Sequence, residues 1–205
     1  MIRLAVLLSG RGTNMAALAE RCSNDSRFSV AFVASSRADA PGLAKARQFG
    51  LQTAVLPYRE GKEAAEGELT RLICDSDVSL IVLAGFMRIL SPQFVAAHRG
   101  RIVNIHPALL PAFPGAHAID DFWATGEKYS GVTVHLVDEL TDHGPILVQE
   151  AVAREDGDTR ESYEEKIHAA EHRIYWPAVR DYALSLPGAG KGDLNEETSA
   201  AFCQR

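Results

Sequence analysis

Five consecutive apolar residues, Leu4 to Leu8, run into the glycine-rich segment SGRGTN, and a helical pattern follows from Met15 to Arg21. A strand without polar alternation has no face to give to water, so it belongs inside a parallel sheet covered by helices on both sides. The alternation then repeats. Phe28 to Ala34 reads as a second strand, and Pro41 opens a helix through Gln48 that Gly50 ends. Thr53 to Leu56 is a short third strand, and GKEAAEGELTRLICD, from Gly61, carries Leu69 and Leu72 among charges as an amphipathic helix. Leu80 to Ala84 and Arg101 to His106 are the fourth and fifth strands. A short helix ending near Gly126 precedes two more, Gly131 to Val137 and Ile146 to Ala153. This order predicts an α/β fold, a doubly wound, mostly parallel sheet flanked by helices, with ligands beyond the carboxyl ends of the strands.

A long helix begins near Arg160, after the turn and cap residues Asp156 to Thr159. Its apolar stripe runs through Ile167, Ala170, Ile174 and Ala178, yet Glu171 lies on the same face. A carboxylate there needs a partner, either a neighbour such as Arg173 or a ligand. Pro177 is expected to kink or break this helix near Trp176. Residues 1–186 therefore form one domain, and 187–205 a polar, glycine-rich tail. A chain of 205 residues is long enough to bury about 70% of its extended surface.

Composition narrows the function. A net charge of −6 and a pI near 5.6 argue against a broad basic face for nucleic acid or anionic membrane. No run approaches the roughly 18 apolar residues of a membrane span, and Met1 to Leu8 leads into a glycine loop, not a signal cleavage site. A cytoplasmic protein acting on small molecules, as monomer or homodimer, is the expectation. Cys22, Cys74 and Cys203 stand singly without C-x-x-C spacing, which suggests unpaired thiols.

Any anionic ligand must then be held locally. The strand, glycine turn and helix start at SGRGTN form an anion cradle, in which Gly10 and Gly12 permit close approach and Thr13 or Asn14 can cap the helix. Met15 stands where a dinucleotide fingerprint needs glycine, and no Lys precedes a Ser or Thr as in a P-loop, so the site suits a single phosphate.

The chemistry centres on RIVNIHPALLPAFP, residues 101–114. Asn104 and His106, two apart on a strand, project from one face, while Val103 and Ile105 project from the other. Pro107 holds His106 extended, and Pro111 and Pro114 stiffen the exit. In the later strand GVTVHLV, Thr133 and His135 again share a face, and Asp142 follows in a loop closed by Gly-Pro. An amide, an imidazole and a carboxylate meeting at one point suit acyl transfer, although Asn104 as a turn cap and His106 as a core histidine is the plainer alternative. His135 and His143, with His106 and Asp142, also invite a zinc reading, but their spacing matches no helical metal motif and the chemistry needs no metal.

Together, NIHPALLPAFPG, the upstream IVLAGFMRIL and the downstream GVTVHLVDELTDHGPIL resemble the folate-dependent formyltransferases over about residues 2 to 184. The resemblance implies a Rossmann-like formyltransferase domain and 10-formyltetrahydrofolate as co-substrate. It further implies transfer of the formyl group to the amine of a phosphoribosyl glycinamide, a step toward the purine nucleotide IMP, without a metal. It implies catalysis by Asn104, His106 and Asp142, with His135 in support. Gly12, Thr13 and Asn14 would hold the substrate phosphate and Glu171 its ribose, while Met87, Arg88, Ile89, Leu90, Asn104 and Val137 would line the folate pocket. Lys62, with Arg59 nearby, would meet the folate's glutamate tail. Departures from the family pattern are His143, where relatives usually carry a small residue, and Ala108, Ala112 and Phe113, where polar or basic groups are common. Two relatives on this scaffold carry additional domains, an RNA-binding one in the tRNA formyltransferases and a regulatory one in the formyltetrahydrofolate hydrolases. A chain of this length that starts its first strand at Ile2 is expected to have neither. A folate-binding protein that only retains the pocket is the remaining alternative.

Overall fold

The computed structural model describes residues 1–187. The N-terminal apolar run becomes β1 (Ile2–Leu8), followed by α1 (Thr13–Ser23), β2 (Phe28–Ser35), α2 (Pro41–Gln48), β3 (Thr53–Val55), α3 (Lys62–Asp75) and β4 (Leu80–Leu83). The chain continues through α4 (Pro92–Ala97), β5 (Ile102–His106), α5 (Ala118–Thr125), β6 (Tyr129–Leu136), β7 (Ile146–Ala153) and α6 (Arg160–Ser185). The strands form one sheet in the order β3-β2-β1-β4-β5-β6-β7. The pairs from β3 to β5 are parallel, and β6 and β7 join antiparallel at one edge. The fold is thus the mostly parallel, doubly wound α/β sheet the periodicity predicts.

Alternate residues of β1 feed two separate cores. Leu4, Val6 and Leu8 pack with α1, α2 and α6, while Ala5 and Leu7 pack with α3 and α4. Both faces of β1 are dry, which is why its sequence shows no alternation. The chain winds outward from β1 through β2 to β3, then crosses back to β4 on the other side of β1. Their following loops diverge and leave a crevice at the carboxyl ends.

The structure departs from the sequence reading at three places. Pro177 lies inside α6 without ending it. Its missing N–H frees only the carbonyl of exposed Arg173, which water can satisfy. The interior proline costs about 3 kcal/mol. Burial of Tyr175, Trp176 and Val179 on the same stretch, each worth roughly 1.5–3 kcal/mol, outweighs it. A helix not foreseen, α4, starts at Ser91, whose hydroxyl accepts from the Phe94 N–H. Cys74 is disulfide-bonded, not an unpaired thiol, whereas Cys22 is free and buried. The proposed tail lies, from residue 188 onward, outside the described residues.

His98, just after α4, is 2% exposed and packs on the Phe94 ring at 4.2 Å. Burial, with a smaller contribution from Arg101, pulls its pKa from 6.5 down to about 4. Folding therefore holds the ring neutral at pH values where the unfolded chain protonates it. Stability is complete above pH 6.5 and falls as pH drops toward 4, by about 3 kcal/mol in all. Urea midpoints compared at pH 7 and 4.5 should show this acid loss in the wild type and a smaller one in His98→Gln. Equal losses would remove His98 as the cause.

Candidate active site

β5 and β6 bring the polar groups together through their antiparallel register, which sets Asn104 opposite His135 and His106 opposite Thr133. Val103 and Ile105 turn into the α6 side of the core, so the polar pair faces the other way. The loop after β6 then delivers Asp142 in a left-handed conformation, φ 50°, which Asp tolerates better than most residues. Its carboxylate meets the whole cluster. Oδ2 accepts from the Gly115 N–H at 2.8 Å and lies 3.5 Å from His106 Nδ1. Oδ1 lies 3.4 Å from Asn104 Nδ2 and 3.6 Å from His135 Nε2.

Backbone carbonyls set the hydrogens on both rings, because a carbonyl only accepts. His106 Nε2–H donates to Phe113 O at 2.8 Å, which turns Nδ1 toward Asp142. His135 Nδ1–H donates to Leu136 O at 2.9 Å, leaving Nε2 to accept from Asn104 Nδ2 at 3.2 Å. The second amide hydrogen of Asn104 points at Asp142, and this longer bond is the one a new oxyanion can replace. Burial pushes the Asp142 carboxyl upward, but the imidazoles of His135 and His106 when protonated, together with the Gly115 N–H, outweigh it and hold the group below its usual range. Asp142 is therefore ionised at neutral pH.

The glycine loop after β1 lies on the same rim. Gly12 caps α1 with φ 70°, and α1 has no side-chain cap, contrary to the role expected of Thr13 or Asn14. Asn14 instead donates through Nδ2 to Glu171 Oε2 at 3.0 Å, while its buried Oδ1 has no partner among the described residues and stays open to a ligand donor. His168 Nδ1 also bonds Glu171, at 2.9 Å, and Arg11 reaches His168 Nε2 at 3.1 Å. The bond to Glu171 raises the His168 pKa against the opposing effect of burial. Glu171 is thus anchored at the loop, and Arg173 pairs with Glu150 instead. With unfilled N–H groups in its first turn, α1 presents this corner as a site for an anion.

Gly12 is required for a further reason. A Cβ here would sit 2.7 Å from the Gly42 Cα, against α2, in a backbone conformation that side chains disfavour. Gly12→Ala should lose about 1–3 kcal/mol of stability, read as a lower urea midpoint, and weaken phosphate-ester binding. An unchanged midpoint would contradict this packing.

The third wall is the loop after β4. Phe86 and Leu90 turn into the core, while Met87 and Ile89 stand 66% and 69% exposed. Of the four pocket residues expected here, Leu90 therefore offers backbone and not side chain. Arg88 lies over the Tyr58 ring at 5.0 Å. Val137, half-buried after β6, faces this loop's core cluster, and Lys62 is the exposed first residue of α3. His143 bonds Asp138 at 2.9 Å and takes no part in the Asp142 cluster. Among the described residues, no group of three or more His, Cys, Asp or Glu is placed to hold a metal ion.

Sequence reasoning missed Phe113 O and Gly115 N, the two backbone groups that orient His106 and Asp142, because backbone groups leave no signature in residue identity. It also missed His168. There a signal existed, since His168 and Glu171 stand i,i+3 on one helix and so share a face.

An acidic, doubly wound domain with an amide–imidazole–carboxylate cluster beside an anion corner is the arrangement of an acyl-group transferase, and the chain belongs to the formyl transferase family, whose pattern matches residues 2–179. Within that family it is similar to phosphoribosylglycinamide formyltransferase of Escherichia coli, 39% identical over 85% of this chain and 84% of the relative. It is 42% identical to the trifunctional purine biosynthetic protein adenosine-3 of Drosophila pseudoobscura over 91% of this chain, but spans only 14% of that relative's length. The solved glycinamide ribonucleotide transformylase 1 of Symbiobacterium toebii superposes with a TM-score of 0.85 at 41% identity, covering 92% of each chain.

Proposed function

We propose that this chain transfers the formyl group of 10-formyltetrahydrofolate to the amine of 5'-phosphoribosylglycinamide, giving formylglycinamide ribonucleotide and tetrahydrofolate in purine biosynthesis. The observation that carries the reading is the single Asp142 carboxylate within 3.5 Å of His106 and 3.4 Å of Asn104. The glycine corner with Asn14 and Glu171 takes the phosphate and ribose. The ledge at Met87–Leu90, with Val137 across from it, takes the folate, and Lys62 its glutamate tail.

The amine attacks the formyl carbon, and negative charge collects on the formyl oxygen. Asn104 donates its second N–H to that oxygen, exchanging a long bond to Asp142 for one that strengthens as charge develops. Asp142 takes the proton the amine must lose and passes it to His106 Nδ1. His106 delivers it to the departing folate nitrogen, so the C–N bond to the folate breaks as the new amide is completed. His135 supports the cycle by holding the amide nitrogen of Asn104 toward the site. The substrates are small and diffusible, which supports a cytoplasmic enzyme, monomer or homodimer, with no nucleic-acid or membrane partner. Among the described residues, no helix is long and apolar enough to cross a membrane.

The test offers glycinamide ribonucleotide, initiator tRNA and water as acceptors in parallel, with release of tetrahydrofolate as readout. Release with glycinamide ribonucleotide alone is the expected result. Release with tRNA or water instead, or none with any acceptor, would overturn the reading.

A further inference from the structure

A carboxylate on the apolar stripe of a helix is costly unless its partners justify it, and α3 carries one. Glu66 is 8% exposed and shares its face with Leu69 and Ile73. Both its oxygens are taken by one residue of another element, for Ser91 donates its N–H to Oε1 at 2.7 Å and its hydroxyl to Oε2 at 2.5 Å. Ser91 already caps α4 through its own hydroxyl, so the helix start does not need Glu66. What Glu66 adds is a tie between α3 and the residue that ends the exposed ledge at 87–90.

The rest of the ledge is tied as well. At its start the Met87 N–H donates to Ser9 Oγ at 2.9 Å. In its middle Arg88 rests on Tyr58, whose hydroxyl pKa is pushed up to about 12, first by burial and then by the charge of nearby Glu66. Glu66 therefore underlies both the end and the centre of a loop that keeps Met87 and Ile89 projecting outward.

We propose that Glu66 is a positioning residue for the folate substrate, acting through Ser91 to set the height of the apolar ledge on which that substrate lies. The inference rests on the formyl-transfer reading above. Glu66→Leu fills the same space without a buried charge but leaves the Ser91 N–H without its acceptor, so the link to Ser91 is lost at a modest cost in thermal stability. Its KM for 10-formyltetrahydrofolate should rise roughly 10- to 100-fold, the effect of losing hydrogen bonds to a charged group, with kcat and the KM for glycinamide ribonucleotide little changed. Glu66→Gln, which can still accept from the Ser91 N–H and pair with its hydroxyl, should recover most of the loss.

An unchanged folate KM in Glu66→Leu would overturn the proposal. So would a fall in kcat with an equal rise in both KM values, since that would make Glu66 a stabilising residue only. Calorimetric binding of tetrahydrofolate to wild type and Glu66→Leu separates the two readings. If the wild type transfers no formyl group yet binds the folate, and the variant does not, the reaction assignment fails and the ledge stands. Equal binding by both proteins would sink the ledge.

Discussion

Asp142→Asn should leave both KM values close to wild type and lower kcat by about 10²- to 10⁴-fold. The amide keeps the size of the carboxylate, and its oxygen can still accept from the Gly115 N–H. It cannot accept the amine's proton, and its NH2 group would face either Asn104 Nδ2 or His106 Nδ1, both lying against the carboxylate now. Steady-state kinetics with both substrates check this, and wild-type turnover would remove Asp142 from the mechanism. The same residue has a stability signature. Its folded pKa lies below the ordinary 3.8, so the stabilisation from its charge is complete above pH 3.8 and is lost as pH falls through the lower folded value. Asp142→Asn should show a shallower loss of stability below pH 3.8.

Asn104→Ala removes the oxyanion donor and should cost about 10²- to 10³-fold in kcat, or roughly 2.7–4 kcal/mol of barrier. The loss should fall on kcat more than on KM, because the bond to the formyl oxygen strengthens only as charge develops. Asn104→Asp should be slower still, since it would set a second carboxylate beside Asp142. A fall in affinity at unchanged kcat would make Asn104 a ground-state contact.

Much of this site was legible because strand geometry is simple. With a side-chain period of two, Asn104 and His106 had to share a face, and so did Thr133 and His135. The register then placed Asn104 against His135. Asp142 was reachable from its place in a Gly-Pro-closed loop, but not its left-handed backbone. Glu171 stood out as a charge on an apolar stripe, and the same test applied to α3 would have exposed Glu66. Gly12 was read as a phosphate-loop glycine, whereas its closest constraint is Gly42, thirty positions away in sequence. That α6 continues past Pro177 was not legible, because local helix chemistry says nothing of the packing around Tyr175 and Val179 that carries the helix on.

The central claim is that His106 and Asp142 carry one proton along one path. Measuring kcat for His106→Ala, Asp142→Asn and the double variant with saturating substrates tests it most directly. Groups acting as a unit are strongly non-additive, so the double variant should be about as slow as the slower single one. A double variant slowed by the full product of the two single losses would mean that the residues act independently, and would contradict the account.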